Sequence, residues 1–169
     1  MRFRILSLIA FVLLLAGCQK DPTCDYVDGA ITVPQSEIDE ITAYLTSKGI
    51  TDAVQSPYNF FYKINNPGTG AVVNNLCTYI TVTYTGKLKN DAVVEQATSA
   101  SPLSGDLGRT IVGWQKGLPL IKAGGSITLY VPPNLAYGDT PQTDHSTGAV
   151  IIPAGSMMIY DIQVLSYQN

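Results

Sequence analysis

The sequence predicts an α+β fold in which an antiparallel β-sheet packs on a short helix. Three observations carry this. Thr78 to Thr85 (TYITVTYT) and Ser126 to Val131 alternate with a period of two, as half-buried strands do. Val112 to Leu118 has room for about two helical turns before Pro119 stops it. No strand–helix–strand rhythm runs through the chain, so a parallel sheet with crossover helices is not expected.

Of the 169 residues, Met1 to Gly17 read as a leader rather than as part of the fold. Arg2 and Arg4 precede an apolar run from Ile5 to Ala16, broken only by Ser7. A basic start, an apolar stretch and small residues before a cut site make a secretory signal. The run is about 12 residues, short of the roughly 20 that a spanning helix needs. Leu15-Ala16-Gly17-Cys18 resembles the lipobox of bacterial lipoproteins, whose Cys is acylated and becomes the new N-terminus. That resemblance implies lipidation at Cys18 and a membrane anchor there. The expected location is exported and lipid-anchored to the bacterial cell envelope, on the periplasmic or the surface face of the outer membrane. The alternative is an ordinary signal peptide with an incidental Cys.

Loss of Arg2 and Arg4 leaves eight basic against thirteen acidic residues, moving the net charge from −3 to −5. No basic patch remains, which argues against nucleic acid as a partner. The remaining length, about 150 residues, suits one domain with a proper core. With Cys18 acylated, Cys24 and Cys77 are an even pair that permits a disulfide in an exported protein. The alternative is two unpaired thiols.

Residues 18–35 are polar, contain Pro22, Gly29 and Pro34, and read as a tether. Residues 36–56 hold an N-terminal helix and linker. Ser36 is the expected cap, Glu37, Asp39 and Glu40 fill the first turn, and Gly49 suits the position just past the end. Ile38, Ile41, Tyr44 and Leu45 fall on one face, so the helix is expected to pack on the domain.

The domain proper is expected over 57–169. Tyr58 to Ile64 suits a strand, and Pro67-Gly68-Thr69-Gly70 a turn. The strand at Thr78 turns Ile80, Val82 and Tyr84 to one side and is expected to end at Gly86. Ala92 to Val94 reads as a short strand, Ala97 to Leu107 as Ser/Pro/Gly-rich loop, and Gly138 to Val150 as a polar loop holding the sole His, His145, expected to be solvated. Ser156 to Tyr167 closes the chain, with Met158, Tyr160, Ile162 and Val164 facing one way.

An ordered series of short motifs then resembles the FKBP-type peptidyl-prolyl isomerases. Phe61-Tyr62-Lys63 runs into Pro67-Gly68-Thr69-Gly70. Val82-Thr83-Tyr84-Thr85-Gly86-Lys87-Leu88, Ile111-Val112-Gly113-Trp114, Leu135-Ala136-Tyr137-Gly138, Ile151-Ile152-Pro153 and Ile159-Tyr160-Asp161-Ile162 follow in order. The resemblance covers roughly Asn59 to Gln168. It implies a twisted antiparallel β-sheet wrapped around a short α-helix (FKBP-like), with an apolar pocket between them. It implies peptidyl-prolyl cis-trans isomerase activity on X–Pro bonds, with proline-containing polypeptides as clients, no cofactor, no metal and a monomeric state.

By the same resemblance Trp114 is the pocket floor, and Tyr84, Ile111, Tyr137, Ile152 and Tyr160 are walls. Ile111 supplies a backbone N–H and Tyr137 a hydroxyl, so Tyr84, Ile111, Trp114 and Tyr137 are the expected catalytic set. Leu103 sits where the family has an aromatic. Val94-Glu95 stand where the family has an aromatic followed by Asp, and the longer Glu95 is expected to lose contacts with Tyr hydroxyls. These same apolar residues would serve any small core, and only their ordered match argues for a site. A second reading is a catalytically weak or inactive binding or chaperone module on a surface lipoprotein. A third is a lipoprotein that docks an envelope partner through 138–150.

Overall fold

The structure, a computed structural model, describes residues 24–27 and 31–169. The leader, Cys18 and the first part of the tether lie outside the described residues. Three long strands form the spine: β3 (Tyr79–Leu88), β6 (Ser126–Val131) and β9 (Met158–Gln168). Flanking them are β1 (Val54–Gln55), β2 (Phe61–Asn66), β4 (Val93–Ala97) and β5 (Leu103–Asp106). They make one antiparallel sheet in the order β1-β2-β6-β9-β3-β4, with β5 also pairing β3. Among the described residues the two α-helices are α1 (Gln35–Ser47) and α2 (Val112–Gly117).

Alternation along β9 decides what each sheet face meets. Met158, Tyr160, Ile162 and Val164 point into the main core with Trp114, Leu118 and Leu129. Ile159 points the other way and joins Tyr130 and Met157 beneath Ile41 and Leu45 of α1. Polar residues beside them on that outer face pair with one another: Thr128 Oγ1 donates to Asp161 Oδ1 at 2.8 Å, and Lys87 pairs with Asp161 Oδ2 at 2.7 Å. A register shift opposite Thr81 and Val82 leaves Leu165 unpaired. Beyond it the inward set changes parity, so Tyr167 is buried and donates its hydroxyl proton to the Leu118 carbonyl at 2.9 Å.

Helix α1 buries Ile38, Ile41 and Leu45, each worth about 1.5–3 kcal/mol when fully covered. Its start differs from expectation. The N-cap position is Pro34, no side chain caps it, and Ser36 lies inside the first turn. Pro34 fixes the extended entry, and the Glu37 carboxylate is engaged by the Asn134 N–H instead. The end is a Schellman motif: Gly49 has φ +65, its N–H donates to Thr46, and the Ile50 N–H donates to Leu45 at 2.9 Å.

Five further expectations are corrected. Strand β3 runs through Gly86 to Leu88, because β4 and β9 pair with it there on both sides. Segment 97–107 is not all loop: β5 hydrogen-bonds to β3 through backbone, which its Ser and Gly composition does not advertise. Residues 57–60 make a turn with Asn59 at φ +64, so β2 begins only at Phe61. Segment 138–150 contains β7 (Gln142–Thr143), which pairs with β8 (Val150–Ile152) in a small two-stranded sheet. The described part of the tether is fastened: Cys24 is disulfide-bonded to Cys77, with Cα atoms 5.6 Å apart, and Val33 is buried in the main core.

Candidate active site

The site is built where α2 lies against the sheet. Gly113 and Gly117 are four residues apart on one side of α2. A Cβ on Gly113 would stand 2.5 Å from Val131 Cγ1, and one on Gly117 2.7 Å from a Leu129 methyl. Their absence lets the helix backbone rest directly on β6, which fixes the height of Trp114 between them. A cavity of about 390 Å³ opens beside that ring.

Trp114 is nearly fully buried as the floor. Tyr84 from β3 and Tyr160 from β9 meet it edge-on, with centroids at 4.8 and 5.3 Å and interplanar angles of 86° and 89°. Edge-to-face contact sets the positive rim of one ring against the negative face of another. The Trp114 Nε1–H is buried without an acceptor among the described residues. Such an orphan donor costs about 1–3 kcal/mol.

Glu95, on β4, is the polar hub. Its Oε1 accepts from the Tyr160 hydroxyl at 2.6 Å. Tyr137 donates to the carboxylate with both oxygens at 3.2 Å, and Tyr84 reaches Oε2 at 3.5 Å. The expectation that the longer side chain loses these hydroxyls is therefore overturned. The reason is Gly86, opposite Glu95 in the ladder, where a Cβ would come within 2.6 Å of Glu95 Cγ. Burial first, and the Glu95 charge second, push the Tyr137 hydroxyl up to about 12 and raise Tyr84 and Tyr160 as well.

The structure brings Tyr84, Glu95, Leu103, Ile111, Trp114, Tyr137 and Tyr160 together around this cavity. It does not bring Val94 or Ile152 to it. Val94 is the extra residue of a bulge between Glu95 and Val93 and packs half-buried on the core. Ile152 is buried in that core, held there by β8. Ile111 enters α2 with φ −61 and ψ 152, and its carbonyl accepts from Trp114 and Gln115. Its own N–H has no acceptor among the described residues. His145 is exposed, away from the cavity lining.

Six lining residues escaped the sequence reading: Ile80, Ser104, Gly105, Asp106, Arg109 and Thr110. Ile80 shares the face of Tyr84, so the period of β3 contained its signal. Ser104, Gly105 and Asp106 lie in the segment read as loop, and Arg109 and Thr110 in the short stretch between it and Ile111.

The chain matches proteins of known type over the same region. The family described as FKBP-type peptidyl-prolyl cis-trans isomerase matches residues 74–165, more than half of the chain. FkpA of Buchnera aphidicola, an FKBP-type peptidyl-prolyl cis-trans isomerase, is 37% identical over 109 residues, 64% of this chain and 40% of that protein. A probable FKBP-type isomerase of Haemophilus influenzae is 35% identical over 115 residues, 68% of this chain and 45% of that protein. The chain thus spans less than half the length of these relatives. The crystal structure of FkpA from Escherichia coli superposes with a TM-score of 0.61 at 28% identity, covering 79% of this chain and 64% of that one. The matched region contains every wall of the aromatic cavity, and the chain belongs to the FKBP-type peptidyl-prolyl cis-trans isomerase family.

Proposed function

We propose that the protein catalyses cis-trans isomerisation of X–Pro bonds in exported or cell-envelope polypeptides, as a lipoprotein anchored through Cys18. One observation carries the catalytic part: an aromatic cavity of about 390 Å³, floored by Trp114 and free of any need for a nucleophile. The barrier is the partial double bond of the amide, about 18–20 kcal/mol. The amide dipole shrinks as the bond twists. An apolar cup therefore disfavours the planar ground state more than the twisted state, and only such differential binding accelerates the reaction.

The polar groups have separable tasks. The unpaired Ile111 N–H is a donor at the cavity wall for a peptide carbonyl. Tyr160 holds Glu95 with the short bond, while the longer Tyr137 bonds are the ones a substrate carbonyl competes for. Family membership, the cavity and the retained Glu95 contacts support this reading. The competing reading, a binding module with little turnover, draws on one observation. Leu103 is an exposed aliphatic at the rim, and Val94 stands clear of the cavity, so that wall carries no ring. Exchange kinetics on an X–Pro peptide separate the two: acceleration supports the isomerase, and tight binding without acceleration supports the module. Metabolic labelling with a fatty acid, lost in Cys18→Ala, tests the anchor.

A further inference from the structure

The tether is fastened to the domain beside the cavity. Cys24 is joined to Cys77, just ahead of β3. Two residues on, the Tyr26 ring lies against Gly108, too close for any side chain at that position. Its hydroxyl donates to Asp106 Oδ2 and accepts from Arg109 Nε, both at 3.2 Å. Asp106 and Arg109 line the cavity. The neighbours of Cys77 bind the same segment. The Leu107 N–H donates to the Thr78 carbonyl at 3.0 Å, and the Gly108 N–H to the Leu76 carbonyl at 2.7 Å. The disulfide and Tyr26 therefore meet the domain at one place, the wall formed by 106–109.

We infer that this fastening holds the cavity at the membrane surface, so that its clients are polypeptide segments lying on or emerging from the bilayer. The inference rests on the Cys18 anchor and on the isomerase reading. Five residues separate Cys18 from Cys24. A chain fully extended over that interval spans at most about 20 Å, and as far as Tyr26 about 28 Å. The bound is one of contour length, so it holds for any orientation of the domain. Without the disulfide and the Tyr26 contacts, the first buried residue of the described chain is Val33. The same arithmetic then allows about 50 Å from Cys18. The fastening thus removes more than half of the reach, and it does so at the cavity wall itself. A site confined to a shallow layer meets chains held in that layer at a raised effective concentration, and dissolved chains only at their bulk concentration.

The test uses the full lipidated chain in phosphatidylcholine vesicles. Energy transfer from Trp114, the single Trp, to an acceptor on the lipid headgroups reads how far the cavity floor stands from the surface. Exchange is measured on one X–Pro peptide, either linked to lipid or free in solution. The oxidised wild type is expected to show strong transfer and to favour the linked peptide. Tyr26→Ala is then measured before and after reduction of the disulfide with dithiothreitol. Reduction should lower the transfer and cut the preference for the linked peptide by about two- to threefold, the ratio of the two reaches. Ten Gly/Ser residues inserted between Lys20 and Asp21, with the disulfide intact and the domain untouched, should have the same effect. Unchanged transfer on reduction or in the insertion variant overturns the proposal, as does a wild type without preference for the linked peptide. Protein that does not bind the vesicles refutes the Cys18 anchor, and the proposal with it. Absence of exchange with either peptide refutes the isomerase reading instead, and transfer together with binding of the linked peptide then decides this proposal by the same comparison.

Discussion

The Glu95 carboxylate gathers three phenol hydroxyls, and Gly86 makes the room for it. Residue identity alone suggested the opposite, because a longer side chain was set against a family position of fixed length. The glycine across the ladder was the missing term. Two predictions belong here. Glu95→Asp retracts the carboxyl by one methylene, so kcat/KM for an X–Pro peptide should fall by about tenfold, the scale of a weakened charge-assisted bond. Gly86→Ala drives a methyl into Glu95 and Tyr160 and should destabilise the protein by about 1–3 kcal/mol in urea unfolding. A third concerns pH. The folded-state value of Tyr137 lies above the ordinary 10.0, at about 12. A phenol raised in the folded state stabilises the fold fully below pH 10.0, and that contribution disappears as pH climbs through about 12. Tyrosinate absorbance should show the cavity phenols ionising late, with thermal stability falling over the same window. Ionisation of the whole set by pH 10 would contradict this.

At the scale of elements, the strands that sequence made legible are those whose side chains alternate: β3, β6 and β9 each carry a periodic apolar face. Strand β5 was not legible, because Leu103-Ser104-Gly105-Asp106 is held by backbone bonds to β3 and has no apolar period to display. Helix α1 was legible from its buried stripe, while its start was misread because Ser36 is a better cap by type than Pro34 by position. The helix covers the apolar part of that sheet face, made by Tyr130, Met157, Ile159 and the partly buried Phe61. Ile41→Ala, at a fully buried position, should cost about 2–5 kcal/mol in urea unfolding and leave the exchange rate of the folded protein unchanged. Loss of the Cys24–Cys77 bond should cost about 2–4 kcal/mol by the same measurement.

For the whole molecule, the sheet wraps α2 so that β3, β4, β9, the α2 entrance and the Tyr137 turn each contribute one side of a single cavity. Trp114, Tyr84 and Tyr160 were legible because they fall in ordered motifs on predicted elements. Arg109 and Asp106 were not, since they lie in no ordered motif and their hydrogen-bond partner Tyr26 is 83 and 80 residues away in sequence. The chemistry proposed for this cavity is the twisting of prolyl amides. The most direct measurement is cis-trans exchange of an X–Pro peptide, with the full chain and with Tyr137→Phe, which keeps the ring and removes the hydroxyl. Clear acceleration by the wild type is expected, with a roughly tenfold loss in the variant, on the scale of one hydrogen bond. No acceleration by the folded wild type, at concentrations where another isomerase accelerates the same peptide, would contradict it.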